Sequence, residues 1–190
     1  AYDGSPIIAD DTIFFAGENG VLYSCKLNTV FDAAAGTVSI NPERLVKYRY
    51  TGAGYSKYNV SDQRWYGVES SVAAFRNYLY FTDNGGRLQC VDANTYKLLF
   101  VADVGDDADA SVVIEESYED NTIYLYTAGQ VSRSDAALGE GYGYSYHKKI
   151  NGLTGAVVWE QRWIASTGDE NNSGGTLATP HVGRGDISNL

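Results

Sequence analysis

The chain is 190 residues long and carries 14 Lys and Arg against 24 Asp and Glu, a formal net charge of −10. That balance, with the basic residues scattered, excludes a phosphate-backbone ligand and disfavours an anionic membrane surface; no window reaches the roughly 18 apolar residues of a membrane-spanning helix. A hydrophobic share of 44% with 21 Gly, 16 Tyr and only 3 Pro excludes disorder and suits one domain of many short strands joined by turns.

Ser5-Pro6-Ile7-Ile8 reads as a first strand, Asp10-Asp11 as a turn and Thr12 to Phe15 as a second strand. Glu18-Asn19-Gly20 turns the chain again, and Val21 to Leu27 alternates as a third strand. Asn28 to Pro42 predicts an expanded loop, and Arg44 to Tyr50, with Leu45 and Val46, a fourth strand. The only helix-like string, Phe31 to Ala35, is too short to stand alone in water. Residues 51–69 repeat nothing and are expected to form an inserted loop, holding Tyr55, Tyr58, Trp65 and Tyr66 in a polar background.

The stretch Tyr78 to Val101 shows the repeated form best: an apolar run, Asp83-Asn84-Gly85-Gly86 suited to a hairpin, the returning Leu88 to Val91, a turn over Asp92 to Thr95, and Leu98 to Val101. Its unit opens at Ser71-Val72-Ala73-Ala74, which aligns with Ser5-Pro6-Ile7-Ile8, while Gly20 to Ser24 falls on Gly86 to Cys90. A third unit opens at Ser111, runs through Thr122 to Tyr126, is interrupted from Gly129 to Gly141, and resumes over Tyr142 to Ile150 and Asn151 to Trp159. Ala178-Thr179-Pro180 resembles one more opening. The units lie at about 5–52, 71–104, 111–165 and 178–190, with openings separated by 66, 40 and 68 residues. Spacing of about 40 to 50 with four short strands is that of a propeller blade, as in WD40-like repeats. The fold expected is therefore all-β: a β-propeller of four-stranded antiparallel blades, about three blades plus the start of a fourth. Such an incomplete ring leaves sheet edges, so either the blades of a longer parent chain or edge-to-edge association of copies is expected to complete it.

Asn151, Thr154, Gly155 and Trp159 align with Asp92, Thr95, Tyr96 and Phe100. The form Asx-x-x-Thr-Gly-x-x-x-Trp resembles the PQQ-like (quinoprotein-like) β-propeller repeat, strongly in Tyr78 to Val101 and Asn151 to Trp159. The second unit departs from it at Tyr96 and Phe100, and the first unit lacks the turn motif. The motif's role is architectural: the aromatic covers a neighbouring blade while Asx and Thr bond the turn backbone. Quinone dehydrogenases of this superfamily combine a calcium-held cofactor with a vicinal Cys pair. Cys25 and Cys90 are not adjacent, so the resemblance implies the non-enzymatic scaffold members, of the barrel-assembly lipoprotein type, with no cofactor and an extracytoplasmic location. Met is absent, so Ala1 is expected to follow a processing cut, with any targeting signal or lipid anchor outside the chain.

Functional candidates are few. Asp103, Asp106, Asp107 and Asp109 supply the hard oxygens that calcium takes, but without the ordered spacing of a calcium loop they are expected to form a solvated acidic turn, as are Glu115, Glu116, Glu119 and Asp120. His147 and His181 lack a third ligand at metal spacing and are expected in structural or surface roles. Gly139 to Gly143 reads as a flexible insertion, and Arg184-Gly185-Asp186 as a chance triplet. Two free, half-buried thiols on opposite sheet faces are expected, because Cys90 matches Ser24 and not Cys25. The better candidates are aromatic: Tyr55, Tyr58, Trp65 and Tyr66 in one loop, and Tyr142, Tyr144 and Tyr146 alternating on one strand face. They can serve a glycan or peptide, or simply pack across blades. The leading expectation is a non-enzymatic interaction scaffold for a protein or peptide, followed by a carbohydrate-binding propeller and then a quinone- or glycan-directed enzyme.

Overall fold

The computed structural model describes residues 2–49, 67–168 and 174–183, and within them every regular element is a strand. β1 (Ile7–Ala9), β2 (Thr12–Gly17) and β3 (Val21–Lys26) form an antiparallel meander. β4 (Val30–Asp32) and β5 (Thr37–Ser39) then pair only with each other, and β6 (Val46–Arg49) completes the first sheet beside β3. The second sheet is β7 (Ala73–Phe75), β8 (Tyr78–Thr82), β9 (Arg87–Asp92) and β10 (Leu98–Asp103), paired in chain order. The third begins with β11 (Val113–Ser117) and β12 (Thr122–Ala128), leaves through β13 (Gln130–Val131), and closes with β14 (Tyr142–Asn151) and β15 (Val157–Ser166). β16 (Gly174–Gly175) pairs with β13.

The expanded loop expected over residues 28–42 is thus corrected to one that carries a hairpin. Val30 and Phe31 pair with Ser39 and Val38, and Asp32 Oδ1 accepts the N–H groups of Ala34 and Ala35 to close the turn, which Gly36 leaves at φ 63°. The alanine run that looks helical is simply this turn. Of the inserted loop expected over 51–69, residues 51–66 lie outside the described residues, and with them Tyr55, Tyr58, Trp65 and Tyr66. Its end is packed: Val68 is fully buried between the first two sheets.

The four residues that align as unit openings are joined to one another. Ser5 N–H donates to Ser71 Oγ at 2.9 Å, Ser71 N–H to Ser111 Oγ at 3.0 Å, and Ser111 N–H to Thr179 Oγ1 at 3.2 Å. Each hydroxyl satisfies the backbone donor of the preceding unit, so the first strands of successive sheets are pinned along one side of the molecule. The sheets fan out from there, and strand alternation sends one set of side chains to each neighbour. Leu79, Phe81 and Val91 of the second sheet pack on Phe14 and Leu22 of the first, while Tyr80, Leu88, Cys90 and Ala102 pack on Ile123, Leu125 and Ile150 of the third and on Val112 just ahead of it. Each fully buried side chain of this size contributes about 1.5–3 kcal/mol. Both thiols are free and buried, and burial pushes that of Cys90 up to about 12.

Turn chemistry fixes the repeats. Gly86 ends the β8–β9 hairpin at φ 76°, where a Cβ would meet the Gly105 and Asp106 backbone at 2.9 Å, so both conformation and space require glycine. Asp92 Oδ1 accepts from Asn94 N, Thr95 N and Thr95 Oγ1, and Asn151 Oδ1 from Leu153 N and Thr154 N. The residue after the Thr is left-handed in both turns: Tyr96 at φ 56° and Gly155 at φ 77°. For a tyrosine that conformation costs about 1–2 kcal/mol; the hydrogen bond between its hydroxyl and Ser24 Oγ of the first sheet offsets it.

Candidate functional site

Three acids occupy one repeat position, two residues before the first three unit openings: Asp3 before Ser5, Glu69 before Ser71 and Asp109 before Ser111. The hydroxyl ladder brings them together at one end of the fan. Asp3, Glu18 and Glu69 each place an oxygen within 4.8 Å of the others. Asn84, in the β8–β9 turn, donates Nδ2 to Glu69 Oε1 at 2.7 Å. The Asp109 carboxyl is half-buried and lies in the electrostatic field of those of Asp107 and Glu69.

Asp106 and Asp107 are only 6% and 8% exposed, which corrects the expected solvated acidic turn; of that loop's acids only Asp103 is exposed. Residues of the following insertion fold back over them. Asp106 pairs with the Arg133 guanidinium, and its Oδ2 accepts the backbone N–H groups of Ser132 and Arg133 at 2.9 and 3.0 Å. Asp107 Oδ2 accepts from Gln130 Nε2 and Ser132 Oγ, both at 2.9 Å. Asp107 Oδ1, Asp109 Oδ1 and Asn84 Oδ1 are buried without a donor.

Crowding of this kind disfavours ionisation. Burial, then the charges of Asp107 and Glu69, push Asp109 up to about 7. Burial also raises Glu69, against the Asn84 hydrogen bond and with the charges of Asp107, Glu18 and Asp3, and it raises Asp107 despite the Ser132 and Gln130 donors. Near neutrality, therefore, the cluster resists full ionisation. Glu69, Asn84, Gln130, Ser132 and Arg133 were not among the candidates from sequence; the recurrence of an acid two residues before the first three openings is the signal that marks Glu69.

Tyr142, Tyr144 and Tyr146 share one face of β14, opposite Ser166, Ile164 and Arg162 of β15. The rings of Tyr144 and Tyr146 stand 6.2 Å apart beside a hollow of about 230 Å³ that Asp106, Arg133, Ser134 and Asp135 also line. Both ring faces already carry cations: the Arg162 guanidinium lies 4.4 Å from the Tyr144 centroid and Lys148 Nζ 4.9 Å from that of Tyr146. Tyr142 is 52% exposed. The repeat-motif residues lie elsewhere. Asp92, Thr95, Asn151 and Thr154 form their turns, Phe100 packs against Gly155, and Trp159 stands 43% exposed on the opposite face of the third sheet. His147 Nε2 meets Thr176 Oγ1 at 3.0 Å and its ring lies edge-on to Trp163, while His181 is exposed. The triplet at 184–186 lies outside the described residues.

No family model matches the chain, and no curated protein matches it in sequence. Solved structures do resemble it. The quinohemoprotein alcohol dehydrogenase from Comamonas testosteroni aligns at TM-score 0.52 and 14% identity, over 85% of this chain and 21% of that one. A europium-containing methanol dehydrogenase aligns at 0.51 and 15%, over 85% and 25%. BamB from Moraxella catarrhalis aligns at 0.48 and 17%, over 84% and 36%. The chain therefore spans between 21% and 36% of the length of these proteins. Three radiating four-stranded antiparallel sheets and the docked opening of a further unit make this chain part of a β-propeller. Its fold is that of the PQQ-like, or quinoprotein-like, propellers, without a closed ring among the described residues.

Proposed function

We propose that the chain belongs to a non-enzymatic, extracytoplasmic propeller that serves as a scaffold for a protein partner, holding an extended segment of it along β15. The observation that carries this reading is the outer side of the third sheet. β15 is ten residues long, ends its sheet and pairs only with β14, so from Val157 to Ile164 no described strand occupies its other edge. Trp159 and Trp163 project from one face of it, 43% and 39% exposed, with Gln161 between them. A free edge supplies main-chain hydrogen bonds to an added strand, and aromatics at alternate positions select its side chains. Aromatic residues with a few polar groups are also the composition of protein interfaces. The non-enzymatic assignment is supported by the lack of adjacent cysteines, and the extracytoplasmic one by the resemblance of the repeat.

The test is selection of extended peptides on the purified chain, followed by hydrogen exchange and Trp fluorescence with a selected peptide. We expect slowed exchange of the β15 amides and at least a tenfold loss of affinity in the Trp159→Ala/Trp163→Ala double variant. Protection confined to other strands would overturn the reading. A Trp response to soluble glycans but to no peptide would favour the carbohydrate-binding alternative.

A further inference from the structure

We propose that the seam between the first and second sheets holds a binding site for one neutral sugar ring, a pyranose, in the hollow walled by Asp10, Arg76, Asn94 and Tyr96. The hollow lies at the opposite end of the fan from the acids and on different strands from β15, so the site does not depend on the partner reading above.

The first ground is shape. The hollow measures about 300 Å³, at the small end of the range for small-molecule sites. Ala9, Phe14 and Leu79 line its apolar part, and the last two are buried in the seam, so the packed sheets themselves make the floor. The walls are fixed before any ligand arrives. Asn77 Nδ2 donates to Asp92 Oδ2 at 2.8 Å, Ala93 N–H to Asn77 O at 2.8 Å and Asn94 N–H to Asp92 Oδ1 at 3.0 Å, which ties the β7–β8 and β9–β10 turns into one frame. The Tyr96 hydroxyl is held by Ser24 of the first sheet. Among the described residues six non-glycine positions have positive φ, and the two that are neither Asp nor Asn, Arg76 at φ 54° and Tyr96 at φ 56°, both stand on this wall. Walls set in this way spare a ligand the cost of ordering them.

The second ground is the chemistry of the rim, which selects the ligand class. The Asp10 carboxylate and the Asn94 side-chain amide are exposed and have no hydrogen-bond partner among the described residues. Together they offer acceptors and donors above an apolar floor. An anion is disfavoured, because Arg76, the cation of the lining, is paired with Glu116 at 2.7 Å and the Asp10 carboxylate repels it. A wholly apolar ligand would strip Asp10 and Asn94 of water and give nothing back. A pyranose meets both demands: its hydroxyls donate to the carboxylate and accept from the amide, while its C–H face covers Phe14 and Leu79. The next seam has an equivalent hollow of about 230 Å³ beside the Arg76–Glu116 pair. There Leu153 stands in the repeat position of Asn94 and Gly155 in that of Tyr96, so the β14–β15 turn brings an aliphatic side chain in place of amide and ring.

The experiment uses the purified chain with methyl glycosides of glucose, galactose, mannose and N-acetylglucosamine, read by amide chemical shifts and by saturation transfer to the sugar protons. We expect saturable binding of at least one methyl glycoside, with shifts centred on residues 9–14, 76–79 and 93–96. Asp10→Asn keeps a residue type that tolerates left-handed backbone, and Asn94→Ala keeps the backbone bond to Asp92. The first should weaken binding roughly tenfold and the second about fivefold, each at an unchanged melting temperature. Leu153→Ala, at the equivalent place one seam on, should leave binding unchanged. A disaccharide bound more tightly than the methyl glycoside at the same amides marks the ring as a glycan end, and equal binding marks it as a free sugar; both support the site. No saturable sugar response, shifts confined to other residues, binding that survives both Asp10→Asn and Asn94→Ala, or tighter binding of inorganic phosphate or of nucleosides would overturn the proposal. None of these readouts involves Trp159 or Trp163, so failure here leaves the peptide reading standing.

Discussion

The seam between the second and third sheets and the outward face of the third are the same repeat surface in two conditions, covered and uncovered. Tyr80 pairs with Ala73, two residues after Ser71, and Tyr126 pairs with Val113, two residues after Ser111, so the tyrosines are equivalent. Each lies beside the aromatic of its own repeat motif: Tyr80 is 6.5 Å from Phe100, and Tyr126 is 6.4 Å from Trp159. At the covered seam Tyr80 sends its O–H across to Gly152 O of the next sheet, at 2.8 Å, and Phe100 lies against Gly155. On the uncovered face Tyr126 turns its O–H to Glu115 of its own sheet, at 2.5 Å. The strand partner of each tyrosine changes in the same sense, from Cys90 to Lys149, and the position beyond from Leu88 to His147. The aromatic frame is kept while the filling between its members turns polar. Apolar filling belongs to a surface that never meets water, and polar filling to one that does.

The largest expected effect of this difference is in the motif aromatics. Phe100→Ala should cost about 3 kcal/mol, as for other large side chains removed from a packed seam. Trp159→Ala should cost under about 1 kcal/mol, in the range of exposed substitutions. Urea unfolding of both variants reads the contrast directly. Equal losses would show that Trp159 is covered in solution and would break the distinction between the two faces.

The tyrosine hydroxyls give a smaller contrast. Tyr80→Phe removes the donor to a buried carbonyl and should cost about 1–2 kcal/mol. Tyr126→Phe gives up a bond to a carboxylate that also lies 3.7 Å from Lys149 Nζ, and should cost about 0.5 kcal/mol or less. The same unfolding measurement applies, with Tyr80→Phe and Phe100→Ala combined to ask whether hydroxyl and ring couple, as groups in contact do.

Sequence made the covered seam legible because its signals are local. An apolar alternation, a glycine where a hairpin needs positive φ, and an Asx whose oxygen bonds backbone two and three residues on all sit within a few positions of one another. The hydroxyls at Ser5, Ser71, Ser111 and Thr179 are likewise visible as a recurring position, although their role as acceptors for the preceding unit is not. The acidic site was far less legible. Asp106 and Asp107 look like a solvated run because their donors, Gln130, Ser132 and Arg133, come from 23 to 27 residues further on, out of a stretch that reads as a flexible insertion. Tyr96 shows the same limit: its left-handed backbone is tolerated because the hydroxyl reaches Ser24, 72 residues earlier, and no local pattern carries that information.

His147 offers the finest probe of the uncovered face, since it stands where the covered seam has Leu88. Burial lowers its pKa below the ordinary value of about 6.5. Between the two values the unfolded chain binds more protons than the folded one, so this group's contribution to stability is present above about pH 6.5 and is lost as pH falls through that value toward the folded pKa. The ring is only half-buried, and solvent screening holds the effect to about a few tenths of a kcal/mol. Subtracting the profile of His147→Gln from that of the unaltered chain, between about pH 7.5 and 5.5, isolates the imidazole from the carboxylates. We expect the unaltered chain to lose stability relative to the variant as pH falls, and a segment bound along β15 to deepen that loss by burying the ring against Trp163. A flat difference would mean that the imidazole is as well hydrated folded as unfolded, and that the outward face is more open than its packing shows.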